Sequence, residues 1–147
     1  MPEVDLALDI DAPAERVWDA VLDIESYPES MENVRSVRII DAPTPTEQRS
    51  AWSIMLKGSV LEWEEHDAID SDAMTMNFHQ LSGDLSAFDG YWRVSSRGPG
   101  LATARFHVVF EVGIPLLAEM LNPVATRSLR ENCTEMLKGL ERQAVIP

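Results

Sequence analysis

The order of the predicted secondary-structure elements limits the possible folds of this chain more than any other feature. An apolar strand comes first, a short helix follows, a long run of strands fills the middle, and one long helix closes the sequence. A sheet must bury its apolar face, and here a single long helix is available to cover it. The order therefore predicts an α+β fold, an antiparallel sheet whose concave face is covered by the C-terminal helix, with a central apolar cavity between them.

Apolar periodicity gives the bounds of these elements. Residues 4–10 alternate with period two, and helical spacing after Pro13 predicts a helix to Asp23, which the Tyr27-Pro28 pair stops. Further strands are predicted over 34–40, 49–57, 59–67, 73–78, 85–95 and 101–112, joined by short turns. A helical pattern over 115–142 contains Pro123, which predicts a kink or a break near Asn122.

Length, charge and cysteine content narrow the class of protein. A chain of 147 residues with no linker predicts one domain over 1–147. The net charge of −13, from 25 acidic and 12 basic residues, would repel phosphate backbones, so we expect no nucleic-acid partner. The lone Cys133 predicts a reduced, packed thiol, and there is no signal peptide or apolar run long enough to span a membrane. These features predict a cytoplasmic protein.

Aromatic and methionine side chains share one face of each middle strand. Such a set is typical of a pocket that binds a bulky apolar molecule. The alternative is that these residues simply fill a core. The candidate ligand-binding residues are Trp52, Trp63, Met76, Phe78, Phe88, Trp92, Phe106, Phe110 and, on the closing helix, Met120 and Val124.

Glu65 and Asp67 are the candidate catalytic residues, because period two places both on the Trp63 face of their strand. A carboxylate that faces an apolar cavity has a raised pKa and can act as an acid or base near neutral pH. The alternative is that the strand ends near Glu65 and both acids are solvated. The three histidines fall opposite the aromatic faces and show no metal-ligand spacing, so we expect no metal site and no cofactor.

Four segments carry a family resemblance: VWDAVLDIESYPESM at 17–31, FDGYWRV at 88–94, PLL at 115–117 and LREN at 129–132. Together they resemble the START-like (SRPBCC, Bet v 1-like) superfamily, and most closely its polyketide cyclase/dehydrase and coenzyme Q-binding branches. The resemblance covers nearly the whole chain. It implies a helix-grip fold, in which a curved antiparallel sheet wraps around a long C-terminal helix and a cavity opens between them.

The resemblance also implies two functions. In aromatase/cyclases of this type, Trp63 would match a cavity tryptophan, but the arginine expected shortly after it and the tyrosine expected around Val34 are missing. A carboxylate base, Glu65 or Asp67, would then promote enolisation and dehydration of a β-keto chain. The alternative is a non-catalytic carrier of a quinone-like or lipidic ligand. Apart from the resemblance, a third interpretation is a structural or partner-binding domain with a collapsed interior. The predicted partners also include a second copy of the chain, as a homodimer. A carrier should fail when Gly90→Phe fills the cavity yet tolerate loss of Glu65, whereas an enzyme should be sensitive to both changes.

Overall fold

The computed structural model describes residues 3–56, 59–112 and 118–145. Within these ranges seven antiparallel strands form one sheet in the order β1-β7-β6-β5-β4-β3-β2. The strands are β1 (Glu3–Ile10), β2 (Val34–Thr44), β3 (Glu47–Leu56), β4 (Ser59–Asp70), β5 (Thr75–Gly83), β6 (Leu85–Gly98) and β7 (Leu101–Val112). The helices are α1 (Ala14–Leu22), the short α2 (Tyr27–Ser30) and the long α3 (Ala118–Val145), with a 3₁₀ turn at Ile24–Ser26. The predicted α+β helix-grip arrangement is confirmed.

The first connection crosses from one edge of the sheet to the other. β1 pairs with β7, with Glu3 opposite Val109 and Ile10 opposite Ala102, whereas β2 pairs with β3 and forms the opposite edge of the described sheet. The remaining strands follow one another as the predicted meander, because short turns join antiparallel neighbours. Both α1 and α2 lie in this first connection.

The Tyr27-Pro28 segment behaves differently from its prediction. Helix α1 does end before it, at Leu22, but Tyr27 itself is helical (φ −54°, ψ −41°) and Pro28 lies in the first turn of α2. Proline suits a first turn because its fixed φ is helical and its missing N–H has no intrahelical partner there. The buried Tyr27 ring packs edge-to-face against Trp52 and Trp92, which holds this turn against the sheet.

The C-terminal helix also differs from its prediction. The helical assignment of α3 continues through Pro123, so the helix does not break near Asn122. Leu129, Leu137 and Leu140 of α3 are buried, and packing of such an apolar face supplies most helical stability in proteins. No helix in the described ranges combines the length and apolar character needed to cross a membrane.

Strands β4 and β5 are longer than predicted. β4 runs on to Asp70 rather than ending at residue 67, and β5 continues to Gly83, which pairs with Trp63. The register between these strands shifts at Glu64 and Glu65, as in a β-bulge. Acidic residues within β4 suggested a strand end, but the strand continues, with Glu64 partly exposed on the outer face and Glu65 and Asp67 buried on the inner face.

Candidate active site

Three cross-strand pairs on β3 and β4 build the centre of the inner face. Trp52 lies opposite Trp63, and the next inward-facing pairs join Ser50 to Glu65 and Gln48 to Asp67. All six side chains are buried, although four of them are polar or acidic. Buried polar groups need hydrogen-bond partners, and these side chains bond mainly to one another, within and across the two strands.

Asp67 is the acceptor of one hydrogen-bond chain. Its Oδ2 accepts from the Ser50 hydroxyl at 2.7 Å and from Gln48 Nε2 at 3.2 Å. Ser50 Oγ in turn accepts from Trp52 Nε1 at 2.8 Å. The orientation of the Trp52 indole therefore depends, through Ser50, on the Asp67 carboxylate.

Glu65 holds the neighbouring tryptophan in the same way. Its Oε1 accepts from Trp63 Nε1 at 2.8 Å. The Trp52 and Trp63 rings consequently stack, with centroids 5.8 Å apart and planes inclined by 3°. Phe88 packs against Trp63 with a centroid distance of 4.9 Å and extends the aromatic surface to β6. Each indole N–H is satisfied within this inner face.

An inner pocket lies between this surface and α3. Its described lining consists of Trp52, Ile54, Trp63, Glu65, Phe78, Phe88, Trp92, Phe106, Leu129, Cys133 and Met136. Its volume is about 20 Å³, whereas sites for small molecules occupy about 300–1,000 Å³. In this conformation it would hold about one water molecule. A larger ligand would require side chains of the lining, or α3, to move.

The candidate catalytic acids occupy different places relative to the inner pocket. Both are buried, Glu65 with 3% of its surface exposed and Asp67 with none, so they are not solvated at the rim of the sheet. Glu65 lines the inner pocket, and Asp67 does not. The functional prediction required a carboxyl that opens into the interior, and Glu65 has that position.

The candidate ligand-binding residues divide into three groups. Trp52, Trp63, Phe78, Phe88, Trp92 and Phe106 line the inner pocket. Met76 and Phe110 are buried in the core but are not part of this lining, and the side chains of Met120 and Val124 lie outside the described residues. The lining also includes four residues that the sequence pattern did not single out: Ile54, Leu129, Cys133 and Met136. The last three lie four and three residues apart, which places them on one face of α3.

Burial raises the pKa of several groups around the inner pocket. It raises the pKa of Glu65 well above its usual range, and the neighbouring Asp67 raises this pKa further, against the opposing effect of the hydrogen bond from Trp63. Burial, followed by the charges of Asp67 and Glu65, also raises the pKa of the Tyr27 phenol. Burial raises the pKa of the Cys133 thiol too, so the predicted packed thiol is neutral.

The raised pKa of Glu65 should make stability depend on pH. The folded protein binds a proton at Glu65 more tightly than the unfolded chain, whose carboxyl has a pKa of about 4.3. Tighter proton binding stabilises the folded protein. This stabilisation is full at acidic pH, and it is lost as the pH rises from about 4.3 towards the raised pKa. Glu65→Gln has no proton to lose at this position, so we expect the free energy of unfolding of the variant, relative to that of the wild type, to increase with pH.

Urea unfolding between about pH 5 and pH 9 would measure this difference. Glu64→Gln is the matched control, because Glu64 lies on the same strand with 45% of its side chain exposed. Parallel pH profiles for the wild type and Glu65→Gln would contradict the expectation.

The histidines lie away from the inner pocket. His66 and His79 are paired across β4 and β5, with ring centroids 5.2 Å apart, on the outer face of the sheet, and His107 stacks on Tyr91. Among the residues that the structure describes, no group of three or more His, Cys, Asp and Glu side chains is arranged to hold a metal ion.

Comparison with known proteins identifies the family. The profile of the polyketide cyclase/dehydrase and lipid transport family matches residues 10–137, and the chain belongs to this family. It is 26% identical over 123 residues to the actinorhodin polyketide synthase bifunctional cyclase/dehydratase of Streptomyces coelicolor. That match covers 80% of this chain and 39% of the relative, so the chain spans about two fifths of the relative's length.

Solved structures show the same fold. A protein from Thermus thermophilus superimposes with a TM-score of 0.91 and 26% identity, covering 98% of this chain and 97% of that one. The Zhui aromatase/cyclase from Streptomyces sp. R1128 has a TM-score of 0.84 and 16% identity, covering 97% and 92%. A START superfamily protein from Mycobacterium smegmatis gives a TM-score of 0.81 at 18% identity, covering 97% and 99%. The START-like resemblance and its polyketide cyclase/dehydrase branch are confirmed.

Proposed function

We propose that this protein is a cytoplasmic enzyme of the aromatase/cyclase type, which closes a ring in a poly-β-keto chain and removes water from it. The observation that carries the proposal is the position of Glu65, a buried carboxyl in a pocket lined otherwise by apolar and aromatic side chains and one neutral thiol. The family and the cyclase/dehydratase of Streptomyces coelicolor support this reaction class. The single, buried Cys133 is compatible with a reducing compartment.

Ring closure of a poly-β-keto chain requires proton transfers to and from the substrate, which one carboxyl group can perform. An enol carbon attacks a ketone carbon, a carbon–carbon bond forms, and the ketone oxygen takes a proton from the Glu65 carboxyl. The enol hydroxyl becomes a carbonyl, and its proton returns to the Glu65 carboxylate. In the dehydration step Glu65 protonates the new hydroxyl, which leaves as water, and the α-hydrogen passes to the carboxylate. The substrate loses one water molecule, and Glu65 ends as it began.

The environment of Glu65 suits this exchange. General acid–base catalysis works best when the pKa of the group lies near the working pH, and burial moves the pKa of Glu65 in that direction. The Trp63 indole donates a hydrogen bond to Oε1 of Glu65, and this bond orients the carboxyl group. The stacked indoles of Trp52 and Trp63 would present a flat surface against which a ring can form.

A carrier of a quinone-like or lipidic ligand is the second candidate function. The lining favours it, because aromatic and aliphatic side chains would bind such a molecule without any catalytic group. The description of the family also includes lipid transport. A carrier would not need Glu65, whereas the proposed enzyme would.

Incubation with the methyl ester of a linear tetraketide would test the proposal. We expect the protein to accelerate the loss of one water molecule and the appearance of an aromatic product, followed by chromatography with mass detection. A short-chain ubiquinone analogue, titrated while tryptophan fluorescence is recorded, would test the carrier. Tight binding of the quinone with no acceleration of tetraketide cyclisation would overturn the enzyme in favour of the carrier.

A further inference from the structure

We propose that Glu65 and Asp67 form a carboxyl pair that shares one proton at neutral pH, with the proton on Glu65 and with Asp67 as a positioning residue behind it. This inference rests on the proposed function only where it assigns Glu65 a role in turnover. In such a pair the Glu65 carboxyl is protonated before substrate binds, so it would donate a proton to the substrate before it accepts one.

The two carboxyls share the inner face of β4. They are two residues apart on the strand and both are buried, which places the side chains next to each other on the same side of the sheet. Glu65 is the member that lines the inner pocket, and Asp67, which is fully buried, lies behind it. A carboxyl-to-carboxyl hydrogen bond requires a proton on one of the two groups, because two carboxylates offer acceptors only.

The unpaired oxygen of Asp67 is the atom that would accept a hydrogen bond from a protonated Glu65. Asp67 Oδ2 already accepts from Ser50 and Gln48, whereas Asp67 Oδ1 is buried and has no hydrogen-bond partner. A buried acceptor without a donor destabilises the folded state, and it does so more strongly when it is charged. A protonated Glu65 would supply the missing donor. Asp67, with two donors already on Oδ2, is the better placed of the two to carry the negative charge.

The charges around the pair favour a single negative charge. Among the side chains that the structure describes, the ionisable groups that face it are the Tyr27 phenol from α2 and the Cys133 thiol from α3, both neutral, with Arg130 acting on Cys133 from the exposed side of α3. The neighbours from β3 are neutral side chains, as is Gln80 on β5. Within the described ranges no ion pair joins Lys or Arg to either acid. Two adjacent buried carboxylates without a cation repel each other, so one keeps its proton.

Infrared spectroscopy of the ligand-free protein would test the shared proton. A protonated carboxyl has a C=O stretch that a carboxylate lacks, and it shifts when the proton is exchanged for deuterium. We expect this band at neutral pH in the wild type and in the control Glu64→Gln, and its loss in Glu65→Gln. In Asp67→Asn the midpoint of the band should fall by about one pH unit or more, because the neighbouring negative charge is gone.

Three outcomes would overturn the pair: no band in the wild type at neutral pH, a band that persists in Glu65→Gln, or an unchanged midpoint in Asp67→Asn. The near-ultraviolet circular dichroism of each variant would show whether it retains the folded aromatic packing. If Asp67→Asn does not fold, Asp67→Glu provides the second variant, since it keeps the charge and should keep the band.

The kinetic test separates this inference from the proposed function. If the tetraketide is turned over, the alkaline limb of the kcat profile should move to lower pH in Asp67→Asn, by the same amount as the infrared midpoint. A purely structural role for Asp67 would lower kcat without moving that limb. An expected infrared result with no turnover would contradict the proposed function and leave the pair standing, whereas turnover with no infrared band would contradict the pair alone.

Discussion

Glu65→Gln should lower the rate of tetraketide ring closure and dehydration by about 10²–10⁴-fold, the usual contribution of a general acid or base. Glutamine has the same length and can accept the hydrogen bond from Trp63, so the stacked indoles should stay in place. What the variant loses is the proton that the carboxyl exchanges with the substrate. The effect should therefore appear in kcat, with KM changed little.

Glu64→Gln is the control for this experiment as well. It makes the same chemical change one residue away, on the outer face of β4, and should leave kcat unchanged. Full turnover by Glu65→Gln would remove Glu65 from the mechanism, and equal losses in both variants would show that the effect is not specific to the inner pocket.

Gly90→Ala should lower the free energy of unfolding by about 3 kcal/mol or more, since overpacking of a core is costly when backbone atoms must move. A Cβ atom at Gly90 would lie 2.0 Å from the carbonyl oxygen of His107, 2.8 Å from Cζ of Phe78 and 2.9 Å from Cα of Val108. Two of these atoms belong to the backbone of β7, so no rotamer change can relieve the contact. Urea unfolding monitored by circular dichroism would measure the loss.

Gly100→Ala is the matched control, because a Cβ atom there would meet nothing within 4 Å. It should change the free energy of unfolding by less than about 0.5 kcal/mol. Equal stabilities of Gly90→Ala and the wild type would contradict the packing around β6.

The close contacts at Gly90 also make Gly90→Phe unsuitable for filling the cavity, because the larger side chain would disrupt the sheet. Cys133→Leu adds bulk from a side chain that lines the inner pocket and is the better choice.

The sequence predicted which faces of the strands point inward. The faces of Trp63, Trp92 and Phe106 are buried, because period-two alternation and aromatic content both follow from how a sheet covers a core. The burial of Glu65 and Asp67 could not be predicted in the same way. Carboxylates are rarely buried, and the burial of Asp67 depends on donors from Ser50 and Gln48, which only the cross-strand register brings near.

The size of the inner pocket is also beyond a sequence pattern. Whether Trp52, Trp63 and Phe88 leave a cavity or fill it depends on the rotamers that they adopt together. The long β4 and the helical turn at Tyr27-Pro28 were missed for related reasons, since local signals for a strand end and a helix stop were outweighed by tertiary packing.

The pairing of β1 with β7 affects how this chain can acquire its fold during synthesis. Residue Ile10 pairs with Ala102, so the first strand made has no partner until almost all of the sheet has been translated. At about 5–20 residues per second, the nascent β1 waits for several seconds. Such long-range pairing is slow to form, and an apolar strand that waits is open to association with other chains. The exposed aspartates Asp5 and Asp9, which alternate with its apolar residues, would keep nascent copies of β1 apart by charge repulsion.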